Sequence, residues 1–154
     1  MIAAARRWKK LGAVVMATAG KRPTAKAWQK LTADQHLARI ERERPKQLSL
    51  RMGEQPSGRV LIAIDVDPAK GGTESMAKLE AEHGKLMETF TQATGGGGFH
   101  YVFEWPRPII HLCPTVSVGA LAPGVDIRGR SGLIVIAPSL HDETGKPYRI
   151  IKWN

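Results

Sequence analysis

The sequence predicts an α/β or α+β domain in which strands dominate and helices are interspersed. Three observations indicate this class: apolar residues at helical spacing near the N-terminus, alternating apolar and polar residues at Leu48–Met52, and the wholly apolar run Val60–Ile64. The 154 residues correspond to one domain rather than two, and a hydrophobic content of 42% is enough for a sizeable core. We therefore expect residues 1–154 to form a single domain.

The first part of the chain predicts two helices around a short strand. Apolar residues at helical spacing predict a helix over Ile2–Leu11, and a strand is expected at Ala13–Ala17. Thr32 is a suitable N-cap for a second helix, which runs to about Arg44 and stops before a proline.

The middle of the chain predicts two strands and a helix. The alternation at Leu48–Met52 is typical of a half-buried strand, whereas Val60–Ile64 predicts a central strand that is covered on both faces. This central strand leads directly into Asp65 and Asp67. A helix is expected after Gly71 and Gly72, with these residues on or near one face: Met76, Leu79, His83, Leu86 and Met87.

The last third of the chain is expected to be mostly strand. Strands are predicted at Phe99–Phe103, Val125–Ile127, Leu133–Ala137 and Tyr148–Trp153. Between the first two of these strands, Arg107–Leu121 is ambiguous and is expected to be a long loop with short structure.

The charge balance points to a polyanionic partner. Lys and Arg number 23 against 14 Asp and Glu, which gives a net charge of +9 at pH 7. A basic surface gains free energy by displacing counterions from phosphates, although a soluble domain that is simply basic is the alternative. Cys113 is the single cysteine, so an internal disulfide and a cysteine-rich zinc site are excluded and a cytoplasmic location is expected.

The N-terminal segment mimics a secretory signal, because basic residues precede the apolar run Leu11–Ala19, which ends in small residues. We reject this interpretation because the run is short, contains Gly12 and fits a helix followed by a strand. No segment approaches the length needed to span a bilayer, so no membrane association is expected.

Asp65 and Asp67 are the strongest candidates for chemistry. Residues two apart on a strand point to the same face, roughly 6.5 Å apart along the chain. Two carboxylates at the end of an apolar strand repel each other and lose hydration, and a divalent cation compensates both effects. Paired carboxylates hold the two metal ions of polymerases and nucleases. The alternative is that both aspartates are solvated turn residues before Pro68.

The glycine run Gly95–Gly98 and the nearby His100 are the second candidate. Glycines allow backbone amides to approach phosphates closely, and His100 then projects from the start of a strand. The run is not a Walker A loop or a dinucleotide-binding fingerprint, because no Gly-Lys-Ser/Thr is present and a strand follows instead of a helix. The alternative is a flexible linker beside a half-buried histidine.

Asp126 is the third candidate. Its neighbours Val125 and Ile127 face the opposite side of their strand, so the carboxylate stands apart from them. A third acidic ligand suits a Mg²⁺ or Mn²⁺ site built from oxygen atoms. An ion pair with Arg128, on the same face, is the alternative, and both can hold because a nearby arginine can also bind a triphosphate.

Taken in order, these segments resemble the bifunctional primase-polymerase family of the archaeo-eukaryotic primase superfamily. The order is an apolar strand ending in D-V-D, then T-G-G-G-G-F-H-Y-V-F, G-V-D-I-R-G and A-P-S-L-H with a following G-x-x-Y. The earlier G-K-R-P and Trp28 are also similar to that family, so the likeness runs from Lys21 to Tyr148. Each motif is weak alone, whereas their order and spacing are specific.

The resemblance implies a mixed-sheet, archaeo-eukaryotic primase-like catalytic core and a role for each motif. Asp65 and Asp67 match the first metal-binding motif, Asp126 the third, and together they would hold two Mg²⁺ or Mn²⁺ ions. His100 matches the second motif and would contact the incoming triphosphate. Further nucleotide-binding candidates are Gly97, Arg128, Ser139, His141, Lys21 and Arg51.

The resemblance also implies template-directed nucleotidyl transfer, with DNA primase and DNA polymerase activity in phage or plasmid replication. The partners would be a DNA template, a primer and NTP or dNTP substrates, in the cytoplasm of a bacterial or phage-infected cell. Similar proteins are commonly the N-terminal part of longer replication proteins, so a helicase region on the same full-length chain is expected.

Two departures and two alternatives qualify this interpretation. The usual serine among the glycines is a glycine here, and the usual double proline is Ala137-Pro138, but no carboxylate and no histidine is lost.

A metal-dependent nuclease or phosphohydrolase would use the same residues to activate water. A non-catalytic replication-initiator module that binds nucleic acid would keep the basic surface without needing all three aspartates.

Overall fold

A computed structural model of the chain describes residues 1–153, apart from the side chains of residues 117–120. The α-helices are α1 (Ile2–Lys10), α2 (Ala33–Glu43) and α3 (Gly72–His83), and short 3-10 helices span Trp28–Lys30, Pro68–Lys70 and Arg107–Leu112. The strands are β1 (Val15–Ala19), β2 (Arg22–Pro23), β3 (Leu48–Arg51), β4 (Gly53–Glu54), β5 (Val60–Val66), β6 (Phe90–Ala93), β7 (Phe99–Glu104), β8 (Val116–Ala122), β9 (Val125–Arg128), β10 (Leu133–Ile136) and β11 (Arg149–Lys152). None of the described helices is long and apolar enough to cross a membrane.

The strands form two sheets. The smaller sheet has the order β10-β3-β1-β2, and the larger has the order β11-β6-β7-β5-β9-β8, with β4 also paired to β5. The predicted α+β class is confirmed. All the described strand pairings are antiparallel, so neither sheet is mixed. Short turns that reverse the chain account for four of the pairs: β1–β2, β4–β5, β6–β7 and β8–β9.

The N-terminus of α2 is fixed by a capping box. The Thr32 hydroxyl accepts a hydrogen bond from the Gln35 amide at 3.2 Å, and the Gln35 side chain accepts one from the Thr32 amide at 2.8 Å. The two exchanged bonds satisfy donors that the first helical turn leaves unpaired. The predicted N-cap at Thr32 is therefore confirmed.

An aromatic cluster joins the two ends of the chain to the core. Trp8 on α1 lies with its ring centroid 4.8 Å from that of Phe90 on β6 and 5.1 Å from that of Trp153. Phe90 and Trp153 meet edge to face at 5.0 Å, and the Arg7 guanidinium lies 3.6 Å from the centroid of the Trp153 ring. Such contacts add to the burial of large apolar surfaces, so the cluster holds α1 against the larger sheet.

Three elements differ from the expectation. Helix α3 ends at His83 because Gly84, with a φ of 91°, forms its C-cap, and the predicted face residues Leu86 and Met87 lie beyond it. Strand β6 was not predicted, and β8 occupies the second half of the segment that was expected to be a loop. The predicted strands at 48–52, 60–64, 99–103, 125–127, 133–137 and 148–153 correspond to β3, β5, β7, β9, β10 and β11.

Candidate functional site

Four polar side chains form one row across the larger sheet. Gln92 on β6 pairs with His100 on β7, His100 pairs with Asp65 on β5, and Asp65 pairs with Asp126 on β9. Residues directly opposite each other on antiparallel strands share a face of the sheet. The register therefore brings together the three candidates from three separate sequence motifs.

Three members of the row, His100, Asp65 and Asp126, line one wall of a cavity of about 560 Å³ between the two sheets, whereas Gln92 is buried and is not part of that wall. Gln47 and Ser49 contribute to the wall from the smaller sheet and the segment before it, and residues 131–135 contribute from β10 and the turn that precedes it. The cavity is the place where the polar end of the larger sheet faces the smaller one.

Arg128 bridges two of the carboxylates. Its Nη2 lies 2.9 Å from Asp65 Oδ2 and 2.8 Å from Asp126 Oδ2, and its Nε lies 3.2 Å from Asp65 Oδ2. A guanidinium shared between two adjacent carboxylates reduces their repulsion and replaces hydration that burial removes. The ion pair between Asp126 and Arg128, which the sequence offered as the alternative to a metal ligand, is present.

His100 is oriented by a buried glutamine. The Gln92 amide accepts a hydrogen bond from the Ala137 amide at 3.1 Å and donates one to the Val135 carbonyl at 2.6 Å, which fixes its orientation. Its NH₂ group then lies 2.8 Å from His100 Nδ1, so this nitrogen accepts and Nε2 carries the proton. Nε2 lies 3.3 Å from Asp65 Oδ1 and points towards the carboxylates.

The Asp65 carboxyl is held ionised by its neighbours. Burial alone would raise its pKa, but the hydrogen bond from His100, together with the Arg128 guanidinium, outweighs burial and holds the pKa well below its usual value. Asp65 is therefore a carboxylate at neutral pH.

Asp67 lies in the same cavity but outside the strand. Its side chain accepts a hydrogen bond from the Ala69 amide at 3.1 Å and caps the 3-10 helix Pro68–Lys70. Its other oxygen lies 3.0 Å from Lys70 Nζ. Asp67 is thus a turn residue, as the alternative interpretation of the sequence held, but its side chain also lies on the cavity wall, where a ligand could reach it.

The glycine run forms the hairpin between β6 and β7. The Gly98 amide donates to the Thr94 hydroxyl at 3.0 Å, and the Gly97 amide donates to the Thr94 carbonyl at 3.1 Å. A Cβ on Gly98 would come within 2.0 Å of the Val66 carbonyl oxygen, so this glycine is required by close packing. Thr94 and Gly96 face the cavity, whereas Gly97 is not among its lining residues.

The remaining wall carries further polar groups. Lys21, His141 and Tyr148 line the cavity, and the Tyr148 ring lies tilted against the rings of His100 and His141, with centroid distances of 5.9 and 6.0 Å. Burial, with a smaller contribution from Asp65, raises the pKa of Tyr148 to about 12, so its phenol stays protonated. Asp142 and Glu143 complete the wall.

Two other predicted residues lie elsewhere. The Ser139 hydroxyl is buried and accepts a hydrogen bond from the Leu48 amide at 2.8 Å, so it joins the turn after β10 to the smaller sheet. Arg51 lies on the wall of a different cavity. Their assignment to the triphosphate stays a prediction.

Sequence reasoning missed two residues that shape the row and its surroundings. Gln92 lies on β6, whose short and partly polar sequence gave no strand signal. Lys70 is three residues after Asp67, and Pro68 directly follows the aspartate; this pattern is typical of a capped turn and could have indicated the ion pair.

The carboxylates suit a hard divalent cation by chemistry. Asp65, Asp67 and Asp126 offer oxygen donors to one cavity, which Mg²⁺ and Mn²⁺ prefer. Within residues 1–153 as described, however, no group of three or more His, Cys, Asp or Glu side chains is arranged to hold an ion. Arg128 and Lys70 occupy carboxylate oxygens instead, so a metal site would require these cations to withdraw.

Comparison with known proteins agrees with the resemblance found in the sequence. A search of curated proteins finds no match. The family model of the bifunctional DNA primase/polymerase N-terminal domain, Prim-Pol, matches residues 3–153, which is nearly the whole chain. The chain therefore belongs to the family of bifunctional DNA primase/polymerase N-terminal domains.

Proposed function

We propose that the chain is a nucleotidyltransferase that extends a primer on a DNA template by two-metal catalysis. Family membership implies primase and polymerase activity. The observation that carries the proposal is the row of Asp65, His100 and Asp126 on adjacent strands of one cavity wall. Three ionisable groups at one end of a sheet are costly to bury and are typical of a site under functional constraint.

The charge of the cavity supports the need for divalent cations. Carboxylates outnumber lysine and arginine side chains on its described wall: Asp65, Asp67, Asp126, Asp142 and Glu143 against Lys21, Lys70 and Arg128. A triphosphate alone would meet net repulsion there. Bound Mg²⁺ or Mn²⁺ ions would reverse this repulsion, lower the pKa of a primer 3′-hydroxyl and neutralise charge on the α-phosphate.

The basic residues of the wall have a distinct task in this proposal. Arg128 and Lys70 form ion pairs with the carboxylates and would transfer to the triphosphate oxygens of an incoming nucleotide. Lys21 and His141 lie on the same wall and would bind the leaving pyrophosphate in line with the attacking hydroxyl.

His100 is proposed to contact the nucleotide through its Nε2–H. Gln92 engages the other ring nitrogen, so the donor is aimed at the carboxylates and the centre of the cavity. A hydrogen-bond donor at this position suits a phosphate oxygen, and hard cations prefer oxygen over nitrogen ligands.

Incorporation of labelled nucleotides on primed and unprimed single-stranded templates tests the proposal. With Mg²⁺ or Mn²⁺, we expect extension of the primed template by the wild-type chain and greatly reduced primer-free synthesis. Asp65→Ala combined with Asp67→Ala should abolish incorporation and leave the far-UV circular dichroism spectrum unchanged. Wild-type incorporation by the double variant would refute the site, and degradation of template without extension would favour the nuclease alternative.

A further inference from the structure

A second cavity of about 230 Å³ lies beside the catalytic one. We call it the Trp28 pocket, and its wall includes Trp28, Gln29, Arg51, Glu54, Arg130 and Ser131. Ser131 also lines the catalytic cavity, so the two cavities meet at this residue.

Chain connectivity explains why the two cavities are neighbours. The turn 129–132 links β9 of the larger sheet to β10 of the smaller one. At its start, Arg128 binds Asp65 and Asp126, and immediately after it Leu133 pairs with Arg51. A single turn therefore joins the catalytic row to the Trp28 pocket.

The backbone of the pocket is held in place from several sides. The Trp28 carbonyl lies 3.0 Å from His36 Nε2, which anchors the 3-10 helix that carries the indole. The Arg130 amide donates to the Pro114 carbonyl at 2.8 Å, and a Cβ on Gly53 would lie 3.0 Å from the Arg130 Cα. A rigid frame of this kind lowers the entropy lost when a ligand binds.

The side chains of the pocket combine one aromatic surface with two guanidinium groups. Trp28 is partly exposed, and Arg130 is exposed. Arg51 is half-buried, and its Nη2 donates to the Glu54 carbonyl at 2.9 Å, which orients the guanidinium. An indole surface stacks on any nucleobase, and arginines bind phosphate oxygens.

We infer that the Trp28 pocket binds one nucleotide of the single-stranded template beside the catalytic cavity, a conclusion that rests on the proposed function. The base stacks on Trp28, and the flanking phosphates bind Arg51 and Arg130. A volume of about 230 Å³, against about 560 Å³ for the catalytic cavity, suits a single nucleotide unit. Because Ser131 lines both cavities, a strand bound in the Trp28 pocket would continue towards the catalytic cavity past this residue.

Binding of a fluorescently labelled oligo(dT), measured by anisotropy without nucleotide or divalent cation, tests the stacking contact. Trp28→Ala should weaken the oligonucleotide affinity about fivefold or more, and Trp28→Phe should restore most of it. Trp105→Ala is the matched control, because Trp105 is also partly buried, donates its indole N–H to the Ile109 carbonyl at 3.0 Å and lines neither cavity. Equal losses in the Trp28→Ala and Trp105→Ala variants would overturn the inference.

The salt dependence of the same binding tests the phosphate contacts. Arg130→Ala should reduce the slope of log affinity against log salt by about 0.7, the value for one phosphate of a single strand. Arg149→Ala removes the same charge from an exposed position on β11 that lines neither cavity, and it should leave the slope unchanged. Arg130 lies exposed on a turn, so the Arg130→Ala and Arg149→Ala variants test the inference even if Trp28→Ala does not fold. Identical slopes for these two variants would overturn the inference.

Two further comparisons distinguish a template nucleotide from a free nucleotide, and a failure of this inference from a failure of the proposed function. The affinity for free dTTP should be the same in Trp28→Ala and wild type, whereas an equal loss for dTTP and oligo(dT) would make the pocket a second free-nucleotide site and overturn the template assignment. The Asp65→Ala, Asp67→Ala double variant should bind oligo(dT) at least as tightly as the wild type, because it removes negative charge and leaves Trp28, Arg51 and Arg130 in place. Normal primer extension together with oligonucleotide binding that does not depend on Trp28 would defeat only this inference. Absence of primer extension together with oligonucleotide binding that does depend on Trp28 would defeat only the proposed function.

Discussion

The two ends of one face of the larger sheet have opposite characters. At one end Leu61, Ala63, Phe90 and Val102 are buried in the apolar core. At the other end Asp65, His100 and Asp126 line the cavity between the two sheets, and the buried Gln92 contacts His100. The change happens within a single step of two residues along each of β5, β6 and β7.

The two ends differ in what burial does to the free energy of folding. Apolar residues at the first end gain free energy from burial, whereas the buried carboxylate and imidazole of Asp126 and His100 lose hydration and need partners. Arg128 and Gln92 supply those partners. The same backbone frame therefore stabilises the domain at one end and holds paired ionisable groups at the other.

The largest effect should come from the polar end. Asp65→Ala removes a carboxylate that contacts both His100 and Arg128, and incorporation should fall about 10⁴-fold or more, as for other catalytic groups that act as a unit. Steady-state primer extension measures the loss, with melting temperature as the control for folding. Retention of most activity would show that the row is not the catalytic centre.

The apolar end should affect stability instead. Trp8→Ala removes a ring that packs on Phe90 and Trp153, and the free energy of unfolding should fall by about 3–5 kcal/mol. Urea unfolding measures this change. Activity per folded molecule should be unchanged below the transition, and a selective loss of activity would contradict the separation of the two ends.

Removal of the glutamine should disturb the row without touching a carboxylate. Gln92→Ala leaves His100 Nδ1 without its donor, so the Nε2–H tautomer loses its bias and incorporation should drop about 10- to 100-fold. Nitrogen NMR of the His100 ring distinguishes the tautomers. An unchanged tautomer together with reduced activity would show that Gln92 acts through packing alone.

Arg128 offers a way to test competition between the guanidinium and a cation. Arg128→Met leaves Asp65 and Asp126 facing each other, so Mn²⁺ should bind about tenfold more tightly in the absence of nucleotide. Electron paramagnetic resonance of free Mn²⁺ measures the affinity. Mn²⁺ should also raise the melting temperature of this variant more than that of wild type, and weaker Mn²⁺ binding would contradict the competition.

The smallest effect is expected away from both ends. Thr32→Ala breaks the capping box of α2 and should lower the free energy of unfolding by about 1 kcal/mol. Thr32→Ser keeps the hydroxyl and is the matched control. A loss equal to that of Trp8→Ala would mean that α2 carries more of the core stability than its cap suggests.

Local patterns were enough to identify much of the fold. The apolar run Val60–Ile64 identified β5, and Thr32 identified the start of α2, because each depends on interactions within a few residues. Strand β6 was missed because the sequence F-T-Q-A owes its strand conformation to pairing with β7 and β11. The predicted end of α3 was wrong because apolar spacing outweighed the helix-ending effect of Gly84.

The sequence by itself determined the order of the motifs, their membership in a family and the identity of the polar candidates. Only the tertiary structure decided which candidates meet. The antiparallel register places Asp65 between His100 and Asp126, whereas Asp67, two residues away in the sequence, leaves the strand to cap a turn and pairs with Lys70. In the folded chain Arg51 lies on the wall of the Trp28 pocket, and the Ser139 hydroxyl accepts a hydrogen bond from the Leu48 amide of β3. Register and side-chain pairing depend on residues far apart along the chain, and a local pattern carries no information about them.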